Sequence, residues 1–216
     1  MVNEKNVMSK PSLILIGAGG HAHSCIDVIE HLGIFNIAAL IGTEEELQNE
    51  CMGYRIIATD SDLPDLAKRY EYALITVGQI ESARVRQRIY DQALALGFKF
   101  PSIISPRAYV SPHAVLGDGT IVMHGAIVNA GSRVGNNCIV NSNALIEHDA
   151  TVGDHCHIST GAIVNGDVSV GSGSFIGSGS VIKQGIILGS NCVVGMGLAV
   201  RHHHVENSRI LTTNKL

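Results

Sequence analysis

The chain has 216 residues, 45% of them hydrophobic, and a formal net charge of −4. That composition excludes a disordered or fibrous protein and suffices for one large or two small cores. The absence of a dense Lys/Arg run argues against nucleic acid or an anionic membrane surface as a partner. Aromatic residues make up only 4% and Trp is absent, while glycine reaches 24, so the core has to be built from aliphatic side chains stacked closely around turns. The first apolar run is too short for a signal peptide or a membrane span, and the expected location is cytoplasmic. Five cysteines, Cys25, Cys51, Cys138, Cys156 and Cys192, include no CxxC pair and are expected as free thiols.

Residues 12–16 (SLILI) predict a short buried strand, followed by Gly17-Ala18-Gly19-Gly20-His21 and a helix over about 22–32 with Gly33 as its stop. Further apolar runs at 37–41 and 72–77 are separated by the helix-like SDLPDLAKRY, and ESARVRQRIYDQALALG predicts another helix. The alternation gives a small Rossmann-like α/β domain within residues 1–102. Gly17-x-Gly19-x-x-Ala22 meets the loose dinucleotide fingerprint, but Ile41 and Gly42 stand where an acidic ribose reader should end the second strand, which argues against NAD.

From Ile104 an aliphatic residue recurs every six positions without a gap to Val200. Seventeen in register would arise by chance about once in a million trials at this composition, so the period defines the architecture of residues 103–216. Three six-residue units make one triangular coil, with each aliphatic side chain stacked on the one eighteen residues later. Small residues four positions further on, among them Ala126, Cys138, Ala144, Cys156 and Cys192, are expected to fill the corners. Glycines 117, 135, 153, 171, 177, 189 and 195 are expected to supply backbone conformations that other residues reach only at a steric cost.

Ionisable residues crowd the stretch from Asn143 to Gly161. Acyl transfer from a thioester to an amine or hydroxyl needs a base for the nucleophile's proton and a donor for the oxyanion. His148, two residues beyond the inward Ile146, is the candidate base, with a neighbouring carboxylate to fix its tautomer. Residue type and spacing alone equally allow His148 to be an exposed polar residue at a strand end. His202-His203-His204 is not expected to bind metal, because consecutive residues of an extended strand point to alternate sides.

The N-terminal GAGGH, the Val77-Gly78 turn, the block IEHDATVGDHCHISTGA and the following NGDVSVGSGSFIGSGS resemble the NeuD-type sugar acyltransferases, a hexapeptide-repeat family. Members include bacterial UDP-4-amino-sugar N-acetyltransferases and sialic acid O-acetyltransferases. The resemblance spans nearly the whole chain and implies a C-terminal left-handed parallel β-helix, a homotrimer and acetyl-CoA as co-substrate without a metal. It implies His148 as general base tuned by Asp149, His157 near the thioester, and further coenzyme contacts near Gly166, Ser178 and Gly195. It also implies a nucleotide-activated amino sugar, probed first as a UDP-4-amino-4,6-dideoxy sugar of surface glycan biosynthesis, with its diphosphate at Gly19, Gly20, His21 and Gly78. O-acetylation of sialic acid, or a non-catalytic hexapeptide scaffold, are the rival readings. The C-terminal RHHHVENSRILTTNKL departs from the G-x-P-A-K ending common in hexapeptide acyltransferases.

Overall fold

A computed structural model describes residues 10–212. The N-terminal part is a five-stranded sheet of order β3-β4-β2-β1-β5, with β1 Ser12–Ile16, β2 Asn36–Gly42, β3 Glu50–Cys51, β4 Tyr54–Thr59 and β5 Tyr72–Ile75. All pairings are parallel except the β3–β4 hairpin, whose Met52 and Gly53 both have positive φ, as a two-residue turn of that handedness requires. Helix α1, Gly20–Leu32, buries Ala22, Cys25, Ile26, Val28 and Ile29 and stops at Gly33 in the left-handed conformation. Helix α3, Arg84–Ala95, packs Ile89, Tyr90 and Ala93 on the other side.

Two expectations need correction. The strand β4 was not foreseen, because Ile57 points to solvent and the run offers only half a buried face. The helix-like SDLPDLAKRY forms a 3₁₀ turn and one four-residue helix, α2 Leu63–Leu66, with a proline in its first turn; the run is too short in apolar positions to propagate further.

From Ile103 the chain winds as a three-sided parallel β-helix of two-residue strands. Its first face runs from Ile103–Ile104 to Arg209–Ile210, its second from Tyr109–Val110 to Ala199–Val200, and its third from Val115–Leu116 to Ile187–Leu188. Register is eighteen up to Val200, as in Val128 beside Ile146 and Ile146 beside Val164, and shortens to sixteen in the last coil, where Val194 pairs with Ile210. The second residue of each strand points inward, and from Val122 to Val200 all are buried in one core together with the corner residues Ala126, Cys138, Ala144, Cys156 and Cys192.

The glycines have a different reason than expected. Positive φ falls on the third residue after every inward aliphatic from Leu116 to Val194: Gly131, Asn137, Asn143, Asp149, His155, Gly161 and Asp167 run in unbroken succession. The glycines one residue after the aliphatic, such as Gly135 and Gly153, have ordinary φ, and are bare because the next coil lies on top of them. A Cβ on Gly153 would sit 2.7 Å from the Ser172 backbone nitrogen, and one on Gly135 at 2.7 Å from that of Asp154.

The first face is covered by the α/β part, where Ile103, Ile121, Met123 and Ile139 join Leu13, Cys25, Ile26 and Ile29 in one apolar cluster. A buried cation pins this seam: Arg86 donates to the carbonyls of Ile75 and Val77 at the end of β5 and to the carbonyl and side-chain oxygen of Asn137 on a corner of the coil. Burial lowers its pKa to about 10, which leaves the guanidinium charged. No described helix is long and apolar enough to cross a membrane.

Gly153→Ala should cost about 1–3 kcal/mol in chemical denaturation, since its neighbour is backbone that cannot rotate away. Cys138→Ala and Cys156→Ala should each cost on the order of 1 kcal/mol and leave activity intact, because both thiols are fully buried corner fillers bonded to backbone carbonyls.

Candidate active site

The carboxyl ends of β1, β2, β4 and β5 open on a cavity of about 690 Å³, at the point where strand order reverses about β1. Its glycines divide by purpose. Gly17 has a φ of 118°, and a Cβ there would strike the Val77 backbone nitrogen at 2.7 Å, so it serves strand packing. Gly19 and Gly20 have nothing within 4 Å of a Cβ, and Gly78 only the Cβ of His21 at 3.5 Å. Those three leave bare backbone on the cavity. Helix α1 begins there with no side-chain cap and no acidic residue in its first turn, so its free N–H groups and dipole are available to an anion.

His21 lines the cavity and accepts the Cys25 thiol hydrogen at Nε2, 3.3 Å away. Burial, with Arg86 and His157 nearby, holds its pKa down to about 3, so it offers a neutral N–H and no charge. Burial pushes the Cys25 thiol up to about 12, which keeps it protonated as that donor. The acid thought missing after the second strand is present one turn later: Glu44 and Glu46 line the cavity beyond Thr43. Glu46 is committed to the Thr43 backbone and hydroxyl at 2.8 and 3.1 Å, which leaves Glu44 free.

On the coil, His148 stands on the corner between the second and third faces with a side chain 58% exposed. Its Nδ1 lies 3.0 Å from Asp149 Oδ2. That hydrogen bond raises the His148 pKa against a smaller desolvation effect, with Asp149, Glu147 and Asp167 adding attraction. Glu147 is occupied elsewhere, accepting from Asn129 at 2.9 Å and from the His148 backbone N–H at 3.2 Å, so Asp149 is the carboxylate that orients the ring. Gly166, one coil on, lies under the imidazole: a Cβ there would be 2.7 Å from both Cε1 and Nε2 of His148.

His157 sits on the first face against the α/β part and is 7% exposed. Its Nδ1–H donates to the Gln79 carbonyl at 2.6 Å, and Nε2 accepts from the Asn141 amide at 3.0 Å. Burial lowers its pKa to about 4, opposed by the Gln79 bond and helped by Arg86. The ring is therefore neutral, with both nitrogens bonded within the chain. Ser178 lies on the corner between the first and second faces, its hydroxyl 2.9 Å from that of Ser159. Gly195 follows the first-face strand Val193–Val194 in the next coil.

The family description PglD N-terminal domain matches residues 12–93, the bacterial transferase hexapeptide description matches 113–148 and 131–166, and the succinyl-transferase hexapeptide repeat matches 167–201. Among solved structures, the acetyltransferase domain of PglB from Neisseria gonorrhoeae FA1090 in complex with acetyl coenzyme A is 33% identical, at a TM-score of 0.82 over 92% of this chain and 94% of that one. The chain belongs to the NeuD/PglD-type sugar acyltransferases. A histidine-to-asparagine variant of perosamine N-acetyltransferase from Caulobacter crescentus, in complex with CoA and GDP-perosamine, is 28% identical with a TM-score of 0.88 over 94% and 95%. WeeI from Acinetobacter baumannii AYE, at 18% identity and a TM-score of 0.80 over 93% and 97%, shares the fold. No curated protein sequence matches. Membership makes this an acetyl-CoA-dependent acyltransferase with an α/β domain and a left-handed parallel β-helix.

Within one acyltransferase chain the expected site residues divide. Gly19, Gly20, His21 and Gly78 share the cavity. His148, Asp149 and Gly166 share one edge of the second face, whereas Ser178 and Gly195 lie at its other edge and His157 beyond it. Sequence reasoning missed Gln79, Asn141 and Arg86. Only Arg86 carried a signal, since it shares a helical stripe with Ile89, Tyr90 and Ala93.

Gly166→Ala should move stability by less than about 0.5 kcal/mol, because the clash is with the far end of an exposed ring. It should swing His148 off Asp149, so the His148 pKa read by NMR should fall toward the ordinary histidine value.

Proposed function

We propose that this acyltransferase moves the acetyl group of acetyl-CoA onto the amino group of a nucleotide-linked sugar for bacterial surface glycan biosynthesis, with His148 as general base. The observation that carries the reading is the His148–Asp149 pair on an open corner above a glycine. Asp149 holds Nδ1–H, so the Nε2 lone pair takes the proton as the amine attacks the thioester carbonyl. Collapse of the tetrahedral intermediate expels the coenzyme thiolate, to which His148 returns the proton. A covalent acetyl-enzyme is disfavoured because all five cysteines are buried. Gly19, Gly20 and the amino terminus of α1, with Gly78 and neutral His21, are assigned to the diphosphate. His157 is assigned to the coenzyme as a fixed neutral wall, and Gly166, Ser178 and Gly195 to its path along the coil.

The division of these residues supports a homotrimer. Along the second face the outward residues Tyr109, Ile127, Leu145, Ile163, Val181 and Ala199 form an unbroken apolar ladder. Packing such faces around a three-fold axis covers the ladder and sets the His148 edge of one copy beside the Ser178 edge of the next. Free sialic acid as acceptor would leave the cavity and the uncapped helix terminus without an occupant, which favours the nucleotide sugar. UDP-4-amino-4,6-dideoxy sugars are the first acceptors to assay. GDP-linked amino sugars come next, given the perosamine enzyme's ligand.

His148→Ala should lower kcat by about 10²–10⁴-fold with little change in acetyl-CoA binding, whereas His157→Ala should raise the KM for acetyl-CoA. A near wild-type kcat in His148→Ala would place the base elsewhere. The pH profile tests the pair further. A protonated imidazole cannot accept, so its raised pKa places the rise of kcat/KM above the ordinary histidine value, and Asp149→Asn should move that rise to lower pH while reducing kcat. Leu145→Glu should give monomers by light scattering with activity lost. A fully active monomer would sink the shared site.

A further inference from the structure

Folding assembles one donor cluster that the acyl-transfer site does not use. Asp27 and His31 are one turn apart on α1, and His124 reaches them from the coil corner between the first and second faces; one ligand atom from each lies within 4.8 Å of the others. We propose that Asp27, His31 and His124 form a site for a divalent transition-metal ion of the zinc class, fastening α1 to the β-helix.

Two imidazoles and one carboxylate are the donor set of zinc and its neighbours, while calcium and magnesium prefer oxygen alone. Bonds of about 2.0–2.2 Å to each ligand require small inward rotations, and Asp27 and His31 are exposed side chains free to make them. His124 already touches Asp27, Nε2 to Oδ2 at 2.7 Å, and its Nδ1 lies 2.5 Å from the buried Ser105 hydroxyl. An ion binding between Nε2 and Oδ2 would take the place of the proton that Nε2 shares with Asp27, and Nδ1–H would then donate to Ser105, the outer-shell arrangement that metal-ligating histidines use. A fourth position is left for water.

A competitor is also in place. Arg107 donates to His31 Nε2 at 3.0 Å, so the ion has to displace an exposed guanidinium or use the other ring nitrogen. Arg107 therefore sets the affinity without contributing a ligand. The cluster escaped the sequence because its members stand at positions 27, 31 and 124, whereas the visible histidine run at 202–204 does not converge. Since α1 begins at the nucleotide-facing Gly20 and His21, an ion on its middle turns would hold the floor of that cavity against the coil. The cluster's geometry is independent of which sugar is acetylated.

The test uses chelator-treated full-length protein titrated with ZnCl₂ by calorimetry and with CoCl₂ by visible absorption. One ion per chain is expected, with cobalt bands of a four-coordinate site and a higher melting temperature in zinc. Asp27→Asn and His31→Ala, both exposed and safe for folding, should each weaken binding by roughly tenfold or more, and Ser105→Ala by about 10–100-fold. Arg107→Ala should tighten it, and His202→Ala should change nothing. Absence of saturable binding in the wild type, or binding that survives both His31→Ala and Asp27→Asn, overturns the proposal.

Discussion

The aliphatic side chain that rests on its counterpart eighteen residues away fixes almost everything else in this molecule. That contact repeats through one continuous core from Val122 to Val200 and forces three corners per coil. Each corner has to reverse the chain within a few residues, which places its third position in the left-handed region. Glycine meets that demand at no steric cost, and Asn or Asp meets it through short polar side chains that bond locally. Asp149 is one such residue, as are Asn137, Asn143, Asp167 and Asn191. The carboxylate that orients His148 therefore occupies a slot the repeat already reserves for a residue of its kind, and a histidine one position earlier is all that converts a corner into a hydrogen-bonded His–Asp pair.

This explains how the sequence can be read and where reading stops. The period of six needs no partner information, so the coil, its register and its corner cysteines follow from the residues alone. The glycines were misassigned because sequence shows that a side chain is absent but not whether φ or a neighbouring coil forbids it. Gly153 and Gly161 look alike in the chain, yet the first is pressed by Ser172 and the second has a positive φ and open space. His148 was ambiguous by spacing, since an exposed histidine after a strand is ordinary, and only the family resemblance supplied the expectation that it is a base.

Contacts between the two parts were the least legible. Arg86 and Asn137 are fifty-one positions apart, and Gln79 and His157 seventy-eight. Neither pair has a period or a motif. Their chemistry is that of a seam with no carboxylate partner for the cation. The two terminal nitrogens of Arg86 donate to carbonyl oxygens and one amide oxygen while its buried Nε has no partner among the described residues, and its positive charge helps burial keep His21 and His157 neutral. One buried guanidinium thus fixes the loop that carries Gly78 and Gln79 and reinforces the neutral state that burial imposes on two histidines, one at the cavity and one on the coil.

The same geometry keeps the cavity and the His148 corner apart within a single chain. The α/β part covers the first face and carries the cavity, while His148 stands beyond the second face on the far corner. A side chain cannot reach across that face, because a strand of the coil and its apolar ladder lie between the two corners. A histidine on the first face lies under the α/β part, and His157 shows the outcome there: a ring buried to 7% exposure, its pKa lowered to about 4 and both nitrogens bonded. A base needs a raised pKa, a carboxylate and an open nitrogen, and only a corner clear of the seam offers all three. Under the proposed function, the acceptor held in one chain's cavity then meets its base on a neighbour, and the apolar second face brings the two edges together.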